Sequence, residues 1–365
     1  MAVRARAGED VVVPRILMFQ CRKLVTRKLV VAMFATICVG ALMIMALDNI
    51  AASSFLREEL NTAPLAAAAS TCKTRTKAVK WPATRSALGV LSNKEECAVP
   101  RGCQVVQTTT VPSFKMVVRS TSDDIVSGNI RFYGEYEPDL VAAMAQNLKL
   151  GSQFVDVGGN IGFFSTYAAV LGANVTTFEP IPANVELIKA NACINGLQGR
   201  MTLYNMALGI ARQNCTVVWA GNNVGDGSLV CGGDQKKDVV TEGCRATGCH
   251  KQPIVTDRLS CYLPVGVDML KMDIEGFEYT AVRGAMQHFL QFSPPRLVVA
   301  ECANTMSERR GQPTFFWRTF RKIFGCTITS MSRDVHPWYE ALPAVISDWL
   351  VLKRCNGNNI MMTCA

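Results

Sequence analysis

Histidine is the scarcest ionisable residue in this chain, with three in 365 residues. That argues against a His-rich metal centre and leaves acid–base chemistry to carboxylates. Charged residues are also few, 18% of the total, so wholesale disorder is excluded. The expected catalytic domain shows no long run of Lys and Arg: Arg309-Arg310 are a pair, and Arg318, Arg321 and Lys322 recur along one expected helix as a solvated face. No nucleic-acid partner is therefore expected.

Charge that is present sits at the front. Residues 1–28 hold seven basic and two acidic residues, a net +5 of the total +9. Leu29 to Leu47 follows with 19 residues lacking charge or Pro. At about 1.5 Å per residue such a run can cross the hydrocarbon core of a bilayer. It is longer than the apolar part of a cleavable signal peptide. The far flank opens with Asp48 and carries only Arg57 as a base before Ser70. The positive-inside rule then puts the N-terminus in the cytoplasm. The expectation is a single-pass type II signal anchor: cytoplasmic tail 1–28, transmembrane helix 29–47, and the remainder in the lumen of the Golgi or endoplasmic reticulum. A long cleaved signal peptide and a transit peptide are the competing readings.

Residues 48–110 show no sustained period and read as a stem, with a small irregular subdomain as the alternative. Thirteen of the 15 cysteines lie beyond the apolar run. An oxidising lumen would favour disulfides there, and the odd count leaves at least one thiol over. Cys72, Cys97 and Cys103 are candidates to staple the later stem. Cys231, Cys244 and Cys249 crowd a Gly-rich stretch, where a zinc reading with His250 lacks a second paired half. Asn174-Val175-Thr176 and Asn214-Cys215-Thr216 are glycosylation sequons. The first falls in an expected strand, so Asn214 is the expected acceptor.

From Phe154 onward strands and helices alternate. Phe154–Val157, Asn174–Phe178, Met201–Met206, Asp268–Ile274, Arg296–Cys302 and Trp349–Lys353 read as strands. Ile161–Leu171, Ala183–Ile194, Tyr279–Phe289 and Phe315–Ile323 read as helices. This order implies an α/β fold, a mostly parallel sheet covered on both faces. Ligands in such sheets bind beyond the carboxyl ends of the strands.

The strongest motif is Asp156-Val157-Gly158-Gly159-Asn160-Ile161-Gly162, a strand running through a glycine turn into a helix start. Seventeen residues past Gly162, Glu179 ends the next strand in Phe178-Glu179-Pro180. A carboxylate there can accept from both ribose hydroxyls of a nucleoside. A dinucleotide fingerprint would need Gly at 157, where this chain has Val157. The D-x-G-x-x-x-G pattern instead fits S-adenosylmethionine proteins.

The segments FVDVGGNIGFFSTYAA, VTTFEPIPANVELIKANACING, LYNMALG, LKMDIEGFEYTAVRGA and LVVAEC, in that order, resemble the FkbM-type methyltransferase family. The resemblance runs from about Gly134 to Lys353. It implies a class I (Rossmann-like) methyltransferase fold, S-adenosyl-L-methionine as methyl donor, and O-methylation, often of sugar hydroxyls. It gives a domain over 111–355 with a Gly/Cys-rich insertion at 215–255, and leaves 356–365 as a tail. Asp156, Gly158, Gly159, Asn160, Gly162, Glu179 and Pro180 would hold the donor. Asn205 and Ala207, flanking Met206, would border its adenine, and Glu137 in the lead-in Gly134–Glu137 would close over it. Asp273 and Glu275 would lie beside the reacting methyl.

Transfer to a hydroxyl needs alignment of the acceptor and a base for its proton. Asp273 is the first candidate, Glu275 the second and Glu301 the third. Each has a plainer reading: Asp273 as a binding group, Glu275 as a brace for the next helix, Glu301 as a structural acid. His336 reads more readily as a solvated loop residue than as a base. A paired-acid metal site at Asp273 and Glu275 is the weaker reading, and no metal is expected. Trp219 and Trp338 are candidates to stack on a sugar. A lumenal enzyme would meet glycans; a cytosolic one would meet lipids or small metabolites. The alternative class is a non-catalytic descendant that binds a nucleoside or glycan.

Overall fold

A computed structural model describes residues 72, 75–81, 97–121, 124–220, 223–231, 248–302, 320–321, 323–330 and 358–364. These all belong to one unit, Leu65–Ala365. The apolar run at 29–47 lies outside the described residues, as do the stem before residue 72, Trp338, His336 and Trp349–Lys353. Among the described residues no helix is long and apolar enough to cross a membrane.

The main sheet is built from short buried runs. β3 (Gln153–Val157), β4 (Asn174–Phe178), β5 (Met201–Tyr204), β10 (Met269–Met272) and β11 (Leu297–Cys302) are mutually parallel neighbours. β12 (Thr327–Ser330) and β13 (Asn358–Thr363) complete a seven-stranded order, β12-β13-β11-β10-β3-β4-β5. Successive side chains of a strand point to opposite faces. Phe154 therefore joins one core with Ile161, Phe163 and Ile188. Val155 and Val157 join the other with Met272, Val282 and Phe289. Helices α3 (Phe163–Val170), α4 (Pro182–Ile194) and α5 (Glu278–Phe292) supply those partners or adjoin them. Both faces are covered, so β3, β10 and β11 are mainly apolar, with Asp156, Lys271 and Glu301 as their charged residues.

The order reverses at β3, whose chain successor β4 lies on one side while β10 lies on the other. This is the topological switch point, where a crevice opens at the strand carboxyl ends. Ahead of the sheet, α1 (Ile125–Tyr133) and α2 (Pro138–Asn147) follow a hairpin of β1 (Cys103–Gln107) and β2 (Lys115–Arg119). Asp124 caps α1 by accepting from the Ser127 N–H at 2.6 Å.

Four expectations are corrected. The stem assigned to 48–110 gives way to domain structure before its end: Cys72 is bonded to Cys261 and Cys97 to Cys193, and Trp81 Nε1 donates to Met201 O at 2.8 Å. Cys103 is a free thiol, not a staple. Residues 356–365 are not a tail, because β13 runs antiparallel between β11 and β12, locked by Cys326–Cys364. Asn174 opens β4 but is exposed, as is Asn214, so strand position does not exclude it.

The Gly/Cys-rich insertion forms its own sheet. β7 (Gln213–Ala220), β8 (Asn223–Cys231) and β9 (Cys249–Asp257) pair antiparallel, with β6 (Ala207–Leu208) on the edge of β9. Cys215–Cys231 crosslinks β7 to β8. Of the helix expected at Phe315–Ile323, residues 320–321 and 323 are described and are helical.

Candidate active site

Residue 158 must be glycine for two reasons. Its φ is +87°, and a Cβ there would lie 1.9 Å from Asp273 O. The turn after β3 is thereby pressed against the turn after β10. The N–H groups of Gly158 and Gly159 both donate to Phe178 O at 3.0 Å, tying the turn to β4 as well. Asn160 also has positive φ, 48°, and its Oδ1 is buried without a hydrogen-bond partner among the described residues. An orphaned polar atom on a cleft wall fits a ligand with its own polar groups.

Glu179 follows β4. Its Oε2 accepts from Asn160 N at 2.8 Å, and its Oε1 from Ile181 N at 2.9 Å and Asn184 Nδ2 at 3.2 Å. Asn184 is gripped in turn by Arg119 Nη2 at 2.5 Å. Burial pushes the Glu179 carboxyl up to about 7, against the hydrogen bonds from Ile181, Asn184 and Asn160. Asn205 Nδ2 donates to the carbonyls of Glu179 and Pro180, at 2.9 and 3.1 Å, fixing the loop that ends β4.

Opposite lies an acidic group. Carboxylate oxygens of Asp273, Glu275 and Glu301 all lie within 4.8 Å of one another. Asp273 and Glu275 come from the turn after β10, and Glu301 from the end of β11. Glu275 has φ 55°, a left-handed conformation uncommon for a residue with a side chain. The brace for this turn is Glu278, whose Oε1 accepts from the N–H groups of Ile274 and Gly276 at 3.0 and 3.2 Å. Burial, then Asp273 and Glu278, push the Glu301 carboxyl up to about 7. Glu137 enters from the N-cap of α2 and accepts from Asn359 Nδ2 at 2.7 Å. Burial raises its carboxyl too, opposed by the Lys271 ammonium. As an acidic cluster alone, the group assigns no metal.

One cleft joins the two halves. Glu137, Gly158, Asn160 and Glu179 line it, together with Pro180, Ala207, Asp273 and Glu275. Four expected donor contacts stand behind its wall instead. Asp156 is 1% exposed and accepts from Ser165 Oγ at 2.6 Å, so its work is structural. Gly159 gives clearance for Thr177, and Gly162 for Ile188. Asn205 acts through the carbonyls it holds. Trp219 stacks on His250 with centroids 5.5 Å apart, in the inserted sheet and outside the cleft lining.

Sequence reasoning missed Lys271, Asn184, Asn359 and the wall from β7 and β8, where Val217, Gly227 and Leu229 face the cleft. Lys271 alone left a signal, a lysine inside an otherwise apolar strand. Asn184 reads as a surface helix residue, and Asn359 reaches Glu137 across 222 positions.

The sequence profile of the methyltransferase FkbM domain matches residues 156–325. That is shorter at both ends than the resemblance in the sequence. No curated protein matches the chain. Among solved structures, a methyltransferase FkbM from Methylobacillus flagellatus KT aligns at 12% identity and TM-score 0.36, over 58% of this chain. This chain spans 43% of that protein's length. An rRNA methylase from Streptococcus thermophilus aligns at 8% identity and TM-score 0.32, over 61% of this chain and 92% of its own. A Streptococcus mutans methyltransferase in complex with SAH aligns at 8% identity and TM-score 0.36, over 63% and 99%. The profile match takes in the glycine turn, Glu179 and the Asp273 turn, so residues 156–325 carry a methyltransferase FkbM domain.

Proposed function

We propose that the protein transfers a methyl group from S-adenosyl-L-methionine to a hydroxyl of a glycan or other sugar-containing acceptor. The observation that carries this reading is the junction in one cleft of a nucleoside-binding half, Gly158, Asn160 and Glu179, with the carboxylates of Asp273, Glu275 and Glu301. When bound, the donor supplies a methyl group already activated by its sulfonium. Glu179 accepts from the ribose hydroxyls with the lone pairs its three protein donors leave free. Asn160 Oδ1 takes a polar group of the donor's amino-acid part, and Ala207 borders the adenine.

The acceptor hydroxyl lies between Asp273 and Glu301. Its oxygen is a poor nucleophile at neutral pH, so a carboxylate must take the proton as the new bond forms. Asp273 is nearest the glycine turn and orients that oxygen. Glu301, with a carboxyl near 7, is tuned to receive the proton at physiological pH.

Disulfides support a lumenal setting. Four are complete among the described residues, and such bonds persist in oxidising compartments. With the apolar run at 29–47 they favour a single-pass type II protein of the Golgi or endoplasmic reticulum. The test is transfer of labelled methyl from the donor to a glycan library by the full-length protein. Labelling of a sugar hydroxyl is expected. Labelling confined to lipid or small-metabolite acceptors would overturn the glycan reading.

A further inference from the structure

Lys271 does not line the cleft, yet it stands where the two halves meet. It lies inside β10, in register with Asp156 on β3, and is 4% exposed. A buried ammonium needs partners that replace its water. Its Nζ donates to Gly158 O at 3.2 Å and lies 3.5 Å from Asp273 Oδ2 and 3.6 Å from Asp156 Oδ1. The ring centroid of Phe164 is 5.3 Å away. Burial works against the charge, but Asp273, Asp156 and Glu137 outweigh it and hold the ammonium above its usual range.

These partners divide by role. Asp156 is buried and anchors Ser165 at the start of α3, so that contact serves the fold. Gly158 and Asp273 belong to the cleft, one on each side of the switch point. Their backbones touch so closely that a Cβ at 158 would strike Asp273 O. A small slip of either turn would displace both. Asp273 also faces Tyr136 and Glu137 from the lead to α2, Glu278 from α5 and Glu301 from β11.

We propose that Lys271 is a positioning residue whose ammonium ties the glycine turn to Asp273, so that the donor surface and the reacting-side carboxylate are set as one unit. The inference rests on the cleft being the donor site.

The test uses the full-length protein as wild type, Lys271→Met, and Lys271→Met combined with Asp156→Asn. S-adenosylhomocysteine is the probe, titrated by calorimetry from pH 6 to 8.5, with thermal melts alongside. Lys271→Met is expected to bind about tenfold weaker or worse. Its affinity should fall more steeply towards low pH than the wild type's, because the carboxyls of Glu137 and Glu301 lose the ammonium that opposes their rise. The double variant no longer strands the Asp156 charge, so its melting temperature should recover while its affinity and pH profile do not. Recovery of both would reduce Lys271 to the counter-ion of Asp156 and overturn the proposal. If Lys271→Met does not fold, Lys271→Gln keeps a donor for Gly158 O without the charge. A wild-type pH profile in that variant is equally fatal. Absence of binding in the wild type would instead sink the donor site itself.

Discussion

At the scale of residues, the cleft's carboxylates differ in what they are held by, and each difference has a measurable consequence. Asp273 touches Lys271 and faces the cleft, so Asp273→Asn should lower methyl transfer by about 10²–10⁴-fold, the range of a lost general base or orienting carboxylate. Unchanged turnover would remove it from the chemistry. The acid limb of the rate profile should have its midpoint near the Glu301 value of about 7, and Glu301→Gln should abolish that limb. A limb that persists in the variant assigns the proton elsewhere. Glu301 also bears on stability. Its ordinary value is 4.5, so between there and about 7 the folded protein keeps a proton that the unfolded chain has released. Stability therefore falls as pH rises through that window. Glu301→Gln should melt higher than the wild type above pH 7, with the difference shrinking towards pH 4.5. Equal melting curves at both ends would contradict this.

At the scale of elements, the site depends on two turns pressed together. Gly158→Ala puts a side chain at positive φ and drives its Cβ into Asp273 O, so β3 and β10 must separate at their ends. Loss of S-adenosylhomocysteine binding and a lower melting temperature are both expected; a variant that binds normally would show that the turns need not touch. The glycine turn was legible in the sequence because its constraint is local, a tight bend between strand and helix. Glu179 was legible because it ends the neighbouring strand. Asp156 was misread for a related reason. Its side chain alternates away from the cleft, and the strand pattern alone does not say which face the ligand occupies. The brace at the β10 turn went to Glu278, since both it and Glu275 are acids at a helix start and only the backbone path separates them.

At the scale of the whole molecule, disulfides tie the residues before β1 to the catalytic domain. Cys72–Cys261 spans 189 positions. Long loops of this kind contribute about 2–4 kcal/mol to stability, so Cys72→Ser should lower the melting temperature, though by less than reduction of all the disulfides does. A melt unaffected by the substitution would show that the bond constrains little. The topology proposed from residues 1–47 is tested separately. In sealed microsomes the catalytic domain should resist protease until detergent is added, and digestion without detergent would place it on the cytosolic side.

The amino-acid order alone carried the alternation of strands and helices, the glycine turn with its partner acid, and the carboxylates of the Asp273 turn. Each is a matter of neighbours in sequence, where period, turn chemistry and strand ends act over a few residues. The three-dimensional arrangement was needed for β13 in the sheet, the wall contributed by β7 and β8, the hold of Asn359 on Glu137, and the place of Lys271 between Asp156, Gly158 and Asp273. These are contacts between distant segments. Their energy comes from burial and charge pairing that exist only once the sheet has brought the segments side by side.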